Sequence, residues 1–177
     1  HPLPGIDPLE DKINSRLCIC SSCSIRYNAN SMTRASDIRR FTWQDWSAFF
    51  EAAGMLVFAR LMIILPLRWI SPYLGKAQKP AAETPLCQAD PAVLQGVALA
   101  LRRAVKRLPW KSTCLVQGIA GKFMLRRRSV PSILFLGVSY DQDHTFAAHA
   151  WLQCGDFVVS GQAEKDQFTP LMMYLDE

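Results

Sequence analysis

The hydrophobic pattern of this chain changes period at residues 129–131, and this change constrains the fold more than any other feature. Before it, apolar residues recur at helical spacing; after it come three short apolar runs, SILFLGVSY, TFAAHAWLQ and DFVVSG. Runs of this length separated by the polar turns DQDH and CGD indicate strands. Helices followed by hairpin-linked strands predict an α+β domain, with helices packed on a small antiparallel sheet.

Two helices are predicted directly before the strands. Asp90 is a suitable N-cap and Pro91 suits the first helical position, so a helix starts there and ends before Pro109. The next helix, CLVQGIAGKFMLRRR, follows Ser112 or Thr113 as its cap. Its three final arginines are interpreted as the cationic end of the helix, where positive charge suits the helix dipole.

An earlier apolar segment over residues 43–65 predicts an N-terminal helix that starts after Thr42 and stops at Pro66. Residues 52–65 are apolar except for Arg60; this stretch is short for a membrane span, and an arginine within it would be costly in lipid. Burial against the domain is the favoured interpretation. An interface with a partner protein or a membrane surface is the alternative.

The chain divides into four segments on these patterns. Residues 1–31 show no periodicity and are expected to lie outside the native fold, with Met32 as the natural start. Residues 32–75 form the N-terminal helical segment, and residues 76–88, polar with two prolines, are predicted to be a linker. Residues 89–177 form the main domain.

Composition excludes several function classes. The chain has 177 residues, half of them apolar, and a net charge of +5 without a dense basic stripe, which argues against nucleic-acid binding. Six irregularly spaced cysteines are not typical of a disulfide framework, so a reduced, cytoplasmic protein is expected. The cluster Cys18, Cys20 and Cys23 lacks a second Cys/His pair, so no metal site is predicted.

Cys114 and His149 are the residues that could carry chemistry. Cys114 opens a predicted helix, where the dipole and the N–H groups of the first turn favour a thiolate and could hold an oxyanion. His149 lies on the second predicted strand and could serve as the base of a Cys–His pair. Each also has a structural alternative, as a buried core residue. His144 is expected to be solvated, and Cys87 and Cys154, which follow no helix start, to be structural.

The blocks LPWKSTCLVQGIAGKFMLRRRSVPSILFLGV, AAHAWLQCGDFVVSGQ and FTPLMMY resemble the C-terminal domain of lasso-peptide maturation B proteins. That family has a transglutaminase-like fold related to papain-type cysteine proteases, and the resemblance extends over residues 41–174. It implies a leader peptidase in which Cys114 is the nucleophile and His149 the general base and acid.

The resemblance also implies partners. Such a peptidase acts on the leader of a precursor peptide, and an asparagine-synthetase-like cyclase then uses ATP to close the ring of the core peptide. No cofactor is expected to be bound to this chain. Residues 1–40 are too short and too unpatterned for the family's leader-recognition domain, so a separate leader-binding protein is expected.

This chain departs from the family pattern at the third residue of the catalytic triad. The aspartate that family members carry twelve residues after the histidine is Gly161 here, expected opposite His149 in a hairpin that turns around residues 154–156. Asp156 then lies at the turn, out of reach. Gln162 could orient the imidazole if a bulge turns it inward. An aspartate from a loop (Asp141, Asp143 or Asp166) could do so instead, or the protein works as a dyad.

Two rival functions remain open on the sequence alone. The chain could be a catalytically degenerate member of the same maturation complex that binds the leader or serves as a scaffold. It could also be a membrane-surface protein held by the helix before Pro66, although membrane contact is not favoured. The presence of both Cys114 and His149 favours the enzyme. If an orienting group is missing, Gly161→Asp should raise the rate.

Overall fold

The computed structural model describes residues 43–80, 89–140, 146–162 and 167–176. The predictions for residues 1–31, Met32, Thr42 and the cysteine cluster lie outside these ranges. The described ranges contain four helices: α1 (Trp43–Met62), α2 (Leu67–Leu74), α3 (Pro91–Arg107) and α4 (Cys114–Arg126). They also contain five strands: β1 (Lys76–Gln78), β2 (Ile133–Tyr140), β3 (Phe146–Cys154), β4 (Phe157–Ser160) and β5 (Thr169–Leu175).

The predicted helix starts at α3 and α4 are confirmed, and their caps explain them. The Asp90 carboxylate accepts a hydrogen bond from the Ala92 N–H at 2.8 Å, and Pro91 occupies the first turn of α3. At α4 the cap is Thr113, whose hydroxyl accepts from the Val116 N–H at 3.4 Å. Side-chain oxygens at these positions satisfy backbone donors that the helix itself cannot.

The strands form one sheet in the order β1-β5-β2-β3-β4, with every neighbouring pair antiparallel. The three predicted strands correspond to β2, β3 and β4, which confirms the α+β class with helices on a small antiparallel sheet. The long β2–β3 hairpin sets the register of the site, because it places Gly137 opposite His149.

Strands β1 and β5 were not predicted. Because β1 covers Lys76–Gln78, the prediction that residues 76–88 are entirely a linker is wrong at its start. Strand β1 is three exposed residues at the edge of the sheet, too short to show a pattern. Strand β5 contains Pro170, which cannot donate to the ladder. The proline is tolerated because its partner Gly137 adjoins a bulge in β2. In addition, β1 pairs only with residues 173–175 of β5, so within the described residues Pro170 has no neighbouring strand on that side.

Helices and sheet meet in one main hydrophobic core, whose members from the sheet include Leu134, Ala148, Ala150 and Leu152. Helix α4 lies close on the sheet because Gly118 and Gly121 face it. A Cβ at Gly118 would lie 2.6 Å from the Leu134 side chain, and one at Gly121 would lie 2.7 Å from the Leu152 side chain.

The other face of the sheet carries a second, smaller cluster. Its buried members are Ile133, Phe135, Trp151 and Met173. The rings of Phe135 and Trp151, which are direct partners across β2 and β3, stack at 5.2 Å between centroids. Since strand residues alternate between faces, residues 149 and 151 share this face while 148 and 150 face the helices.

Helix α1 is buried on one side only. The favoured prediction of burial is therefore right for the side that faces the core and wrong for the side that faces solvent. Ala52, Leu56 and Ala59 have no exposed surface and belong to the main core. The opposite side of the helix exposes large apolar residues, such as Phe50 and Leu61. None of the helices in the described ranges is long and apolar enough to cross a membrane.

An ion pair fixes the N-terminal helix to the end of α4. Arg128 donates to both carboxylate oxygens of Glu51, at 2.9 and 2.6 Å, and Arg127 lies 3.4 Å from the same carboxylate. The hydrogen bond from Arg128 lowers the pKa of Glu51 and raises that of Arg128. The arginine cluster is thus the cationic end of a helix, as predicted, and it also holds α1.

Candidate active site

Cys114 is the first residue of α4, directly after the Thr113 cap. The cap orients the first turn, so the N–H groups and the positive end of the helix dipole lie around the thiol. Cys114 is a thiol rather than half of a disulfide, and only 3% of the residue is exposed. The position favours a thiolate, whereas the burial restricts its contact with solvent.

The contacts of α4 with β2 indicate where along the sheet Cys114 lies. The Lys122 ammonium reaches the Ser132 carbonyl at 2.8 Å, and Gly118, one turn earlier, packs on Leu134. Four helical residues rise about 6 Å, close to the rise of two strand residues at about 3.4 Å each. One further turn towards the N-terminus therefore places Cys114 near Leu136, whose cross-strand partner Ala150 directly follows His149.

The imidazole of His149 is held among aromatic rings and is 2% exposed. Its centroid lies 5.0 Å from the Phe168 ring and 6.2 Å from the Trp151 ring, with which it stacks at 20°. Cys114 belongs to the helix-side core with Ala148 and Ala150. Cys114 thus packs in the core on the helix side of the sheet, whereas the His149 ring packs with the aromatic rings of the second cluster.

The Nε2 atom of His149 lies 3.0 Å from the backbone carbonyl oxygen of Gly161. A carbonyl oxygen can only accept, so this bond requires the proton on Nε2. In the neutral ring the other nitrogen, Nδ1, then carries the lone pair and can accept a proton. Gly161, the residue where the resemblance to lasso-peptide maturation proteins predicts an aspartate, therefore contacts the histidine through its main chain.

The register at Gly161 corrects the prediction that it lies opposite His149. The hairpin turns at Gly155 and Asp156 with Cys154 opposite Phe157, and a bulge next to Leu152 then shifts the pairing by one more residue. Gly161 consequently lies beside Trp151, where a Cβ would be 2.8 Å from the Trp151 Cβ. Its positive φ of 80° lets the carbonyl turn towards His149.

The other predicted orienting groups do not take this position. Gln162 is exposed to solvent, and the bulge places the Gly161 carbonyl at the ring instead. Asp156 is an exposed turn residue, as expected. The loop candidates lie outside the described residues: Asp141, Asp143 and Asp166.

Two polar groups before Cys114 were missed by the sequence reasoning. The indole N–H of Trp110 and the hydroxyl of Ser112 are buried without a hydrogen-bond partner among the described residues. Such groups are rare in folded proteins and could donate to a developing oxyanion. The only feature of the sequence that could have indicated them is their closeness to Cys114, which both precede by four residues or fewer.

The prediction that the cysteines are reduced is wrong at Cys154, which is disulfide-bonded. Cys114, the other cysteine of the described ranges, is a thiol and is not its partner. A structural role for Cys154 agrees with its burial at the end of β3. No group of three or more His, Cys, Asp or Glu side chains in the described part of the chain is arranged to hold a metal ion.

Comparison with known proteins places this arrangement in a family. No curated protein and no solved structure matches the chain. Residues 52–173, more than half of the chain, match the family model described as the transglutaminase-like superfamily, which includes cysteine peptidases. The match starts within α1 and ends within β5, so it spans the helices, the sheet and both candidate residues. The chain belongs to the transglutaminase-like superfamily.

Proposed function

We propose that this protein is a cysteine peptidase that removes the leader from a lasso-peptide precursor. The observation that supports it most is the hydrogen bond between His149 Nε2 and the Gly161 carbonyl, in a chain that also carries a buried thiol at the start of α4. A buried core histidine would be satisfied by any acceptor. This one takes an acceptor that leaves Nδ1 as the basic nitrogen of the ring.

The proposed reaction requires the Cys114 thiol to come into contact with the His149 imidazole. His149 Nδ1 takes the proton of the Cys114 thiol, and the thiolate attacks the carbonyl carbon of the scissile peptide bond. The C–N bond breaks as the amine of the core peptide takes the proton from His149, leaving a thioester. Water, deprotonated by His149, hydrolyses the thioester, which releases the leader carboxylate and restores the thiol. No cofactor takes part in these steps.

The substrate class rests on the resemblance of the blocks around Cys114, His149 and β5 to lasso-peptide maturation proteins. We propose three partners on the same basis: the leader of the precursor, a separate leader-recognition protein, and an asparagine-synthetase-like cyclase. The cyclase, and not this chain, would use ATP.

A second candidate function is a leader-binding or scaffold protein with the same fold. The observation in its favour is that Gly161 replaces the family aspartate while Cys114 and His149 are both almost fully buried. A protein without turnover would have no need of an accessible thiol.

Mass spectrometry of a reconstituted reaction distinguishes the two functions. The full chain, a synthetic precursor and the leader-recognition protein are incubated, and released leader is measured over time. We expect release by the wild type and by His144→Ala, and none by Cys114→Ala or His149→Ala. Cleavage retained in Cys114→Ala refutes the peptidase. Binding of the leader without cleavage by the wild type supports the scaffold.

A further inference from the structure

An exposed apolar stripe runs along the solvent side of α1 and around the turn that follows it. Its members, each between 41% and 88% exposed, are Trp43, Trp46, Phe50, Val57, Phe58, Leu61, Ile64 and Leu65. Their spacing follows the helical repeat, so they share one face. Helix α1 has 20 residues and is therefore about 30 Å long, with this stripe along its length.

Exposed apolar side chains continue from the stripe onto the turn after α1 and onto α2. Ile64 is 76% exposed at the turn after α1, and Trp69 and Tyr73 on α2 are both more than 60% exposed. Gly54, in the middle of the stripe, has no atom within 4 Å of where its Cβ would be. Soluble monomers rarely expose a contiguous apolar patch of this kind unless it is an interaction surface.

The charge around the stripe is basic. Residues 43–80 contain two acids, Asp45 and Glu51, and both carboxylates bind arginines outside this segment. The four basic residues of the same segment are all exposed: Arg60, Arg68, Lys76 and Lys79. Arg60 adjoins Leu61 of the stripe, and Arg68 adjoins Trp69.

We propose that the apolar stripe binds the surface of an anionic lipid bilayer, with α1 lying in the plane of the interface. An apolar helix face inserts at the boundary between headgroups and acyl chains, and flanking basic residues are attracted to anionic headgroups. Tryptophan and tyrosine are the residues enriched at that depth. The surface is separate from the site at Cys114, so the proposal does not depend on the peptidase chemistry.

A bilayer fits the stripe better than a second copy of the chain does. Anionic headgroups complement the exposed basic residues beside the stripe, whereas a second copy would present the same basic residues, and its two acids in this segment already bind arginines. Symmetric association would also bring the basic residues of both copies to one interface, where like charges repel.

Co-sedimentation of the full chain with vesicles tests the proposal. Vesicles of phosphatidylcholine alone are compared with vesicles of phosphatidylcholine and phosphatidylglycerol at three to one. We expect the wild type to sediment with the anionic vesicles, and Leu61→Glu/Ile64→Glu to bind at least about tenfold more weakly. Leu99→Glu, a change of a 41% exposed leucine on α3, is the matched control and should bind like the wild type.

The charge component has its own test. Arg60→Gln and Arg68→Gln should each weaken partitioning about fivefold, and added salt should do the same. Circular dichroism and unfolding curves establish that the variants are folded. Equal binding to both vesicle types, or unchanged binding of the Leu61/Ile64 variant, overturns the proposal. A chain that ignores vesicles but forms a stripe-dependent dimer, or a stripe-dependent complex with a protein, overturns it as well.

Discussion

Replacing Gly161 with aspartate is expected to destabilise the protein rather than complete a triad. The backbone there has a φ of 80°, which costs an L-residue about 1–2 kcal/mol. A Cβ would also lie 2.6 Å from the Ala150 carbonyl oxygen and 2.9 Å from the Trp151 Cα, both main-chain atoms that cannot move aside alone. Forced contacts of this kind cost about 1–3 kcal/mol more, so the total loss is about 2–5 kcal/mol.

Urea unfolding of the wild type, Gly161→Asp and Gly161→Ala measures this loss. Gly161→Ala carries the same steric cost without the charge, so the two variants should be destabilised by similar amounts. Gly96→Ala is the matched control, because Gly96 lies in α3 with no atom within 4 Å of its added Cβ. It should gain about 0.5–1 kcal/mol from helix propensity.

The activity of the same variants decides the role of the Gly161 carbonyl. If His149 is held by that carbonyl, then Gly161→Asp should cleave the precursor more slowly than the wild type, because accommodating the side chain displaces the acceptor. A Gly161→Asp variant that is as stable as the wild type and faster would refute the reasoning. It would mean that an orienting acid was missing and that the carbonyl is dispensable.

Three further changes test the packing around the site. Lys122→Met removes a buried ammonium that makes an ion pair and two carbonyl hydrogen bonds, and burial lowers its pKa. Breaking such a pair should cost about 3–5 kcal/mol in urea unfolding, against about 0.5 kcal/mol or less for the exposed Lys111→Met. Glu51→Gln should lower the free energy of unfolding at neutral pH, because the pKa of Glu51 is lowered in the folded protein. The ion pair of Glu51 therefore stabilises the fold fully above the unfolded pKa of 4.5, and this stabilisation is lost as the pH falls through the lower pKa of the folded protein. The difference between wild type and Glu51→Gln in acid titration should accordingly shrink below pH 4.5, and a constant difference would contradict it. Thr113→Ala should cost about 1 kcal/mol in thermal or urea unfolding, and no loss would mean that the cap does not stabilise α4.

The parts of the fold that were predictable from the sequence depend on local chemistry. Asp90 with Pro91, and Thr113 before an apolar run, start helices wherever they occur, because they satisfy the donors of the first turn. The change from helical to strand-like spacing located β2, β3 and β4. Cys114 and His149 were found in the same way, one from a helix start and the other from a strand.

The rest depends on contacts between distant residues. Gly161 lies beside Trp151 because of a bulge in the pairing of β3 with β4, and no local sequence pattern predicts this bulge. Strand β1 exists only because β5 pairs with it. The exposure of Leu61 against the burial of Leu56 follows from which side of α1 meets the core, which the nearly all-apolar segment does not encode.

The central claim is that Cys114 and His149 act as a pair, and the alkylation rate of Cys114 at pH 7 tests it most directly. Iodoacetamide labelling is followed by mass spectrometry on the peptide that carries Cys114, in the wild type, His149→Ala and His144→Ala. If His149 takes the thiol proton, its loss should slow labelling about tenfold or more while His144→Ala labels like the wild type. Equal rates in all three proteins would contradict the account, because the thiol would then react without the help of His149.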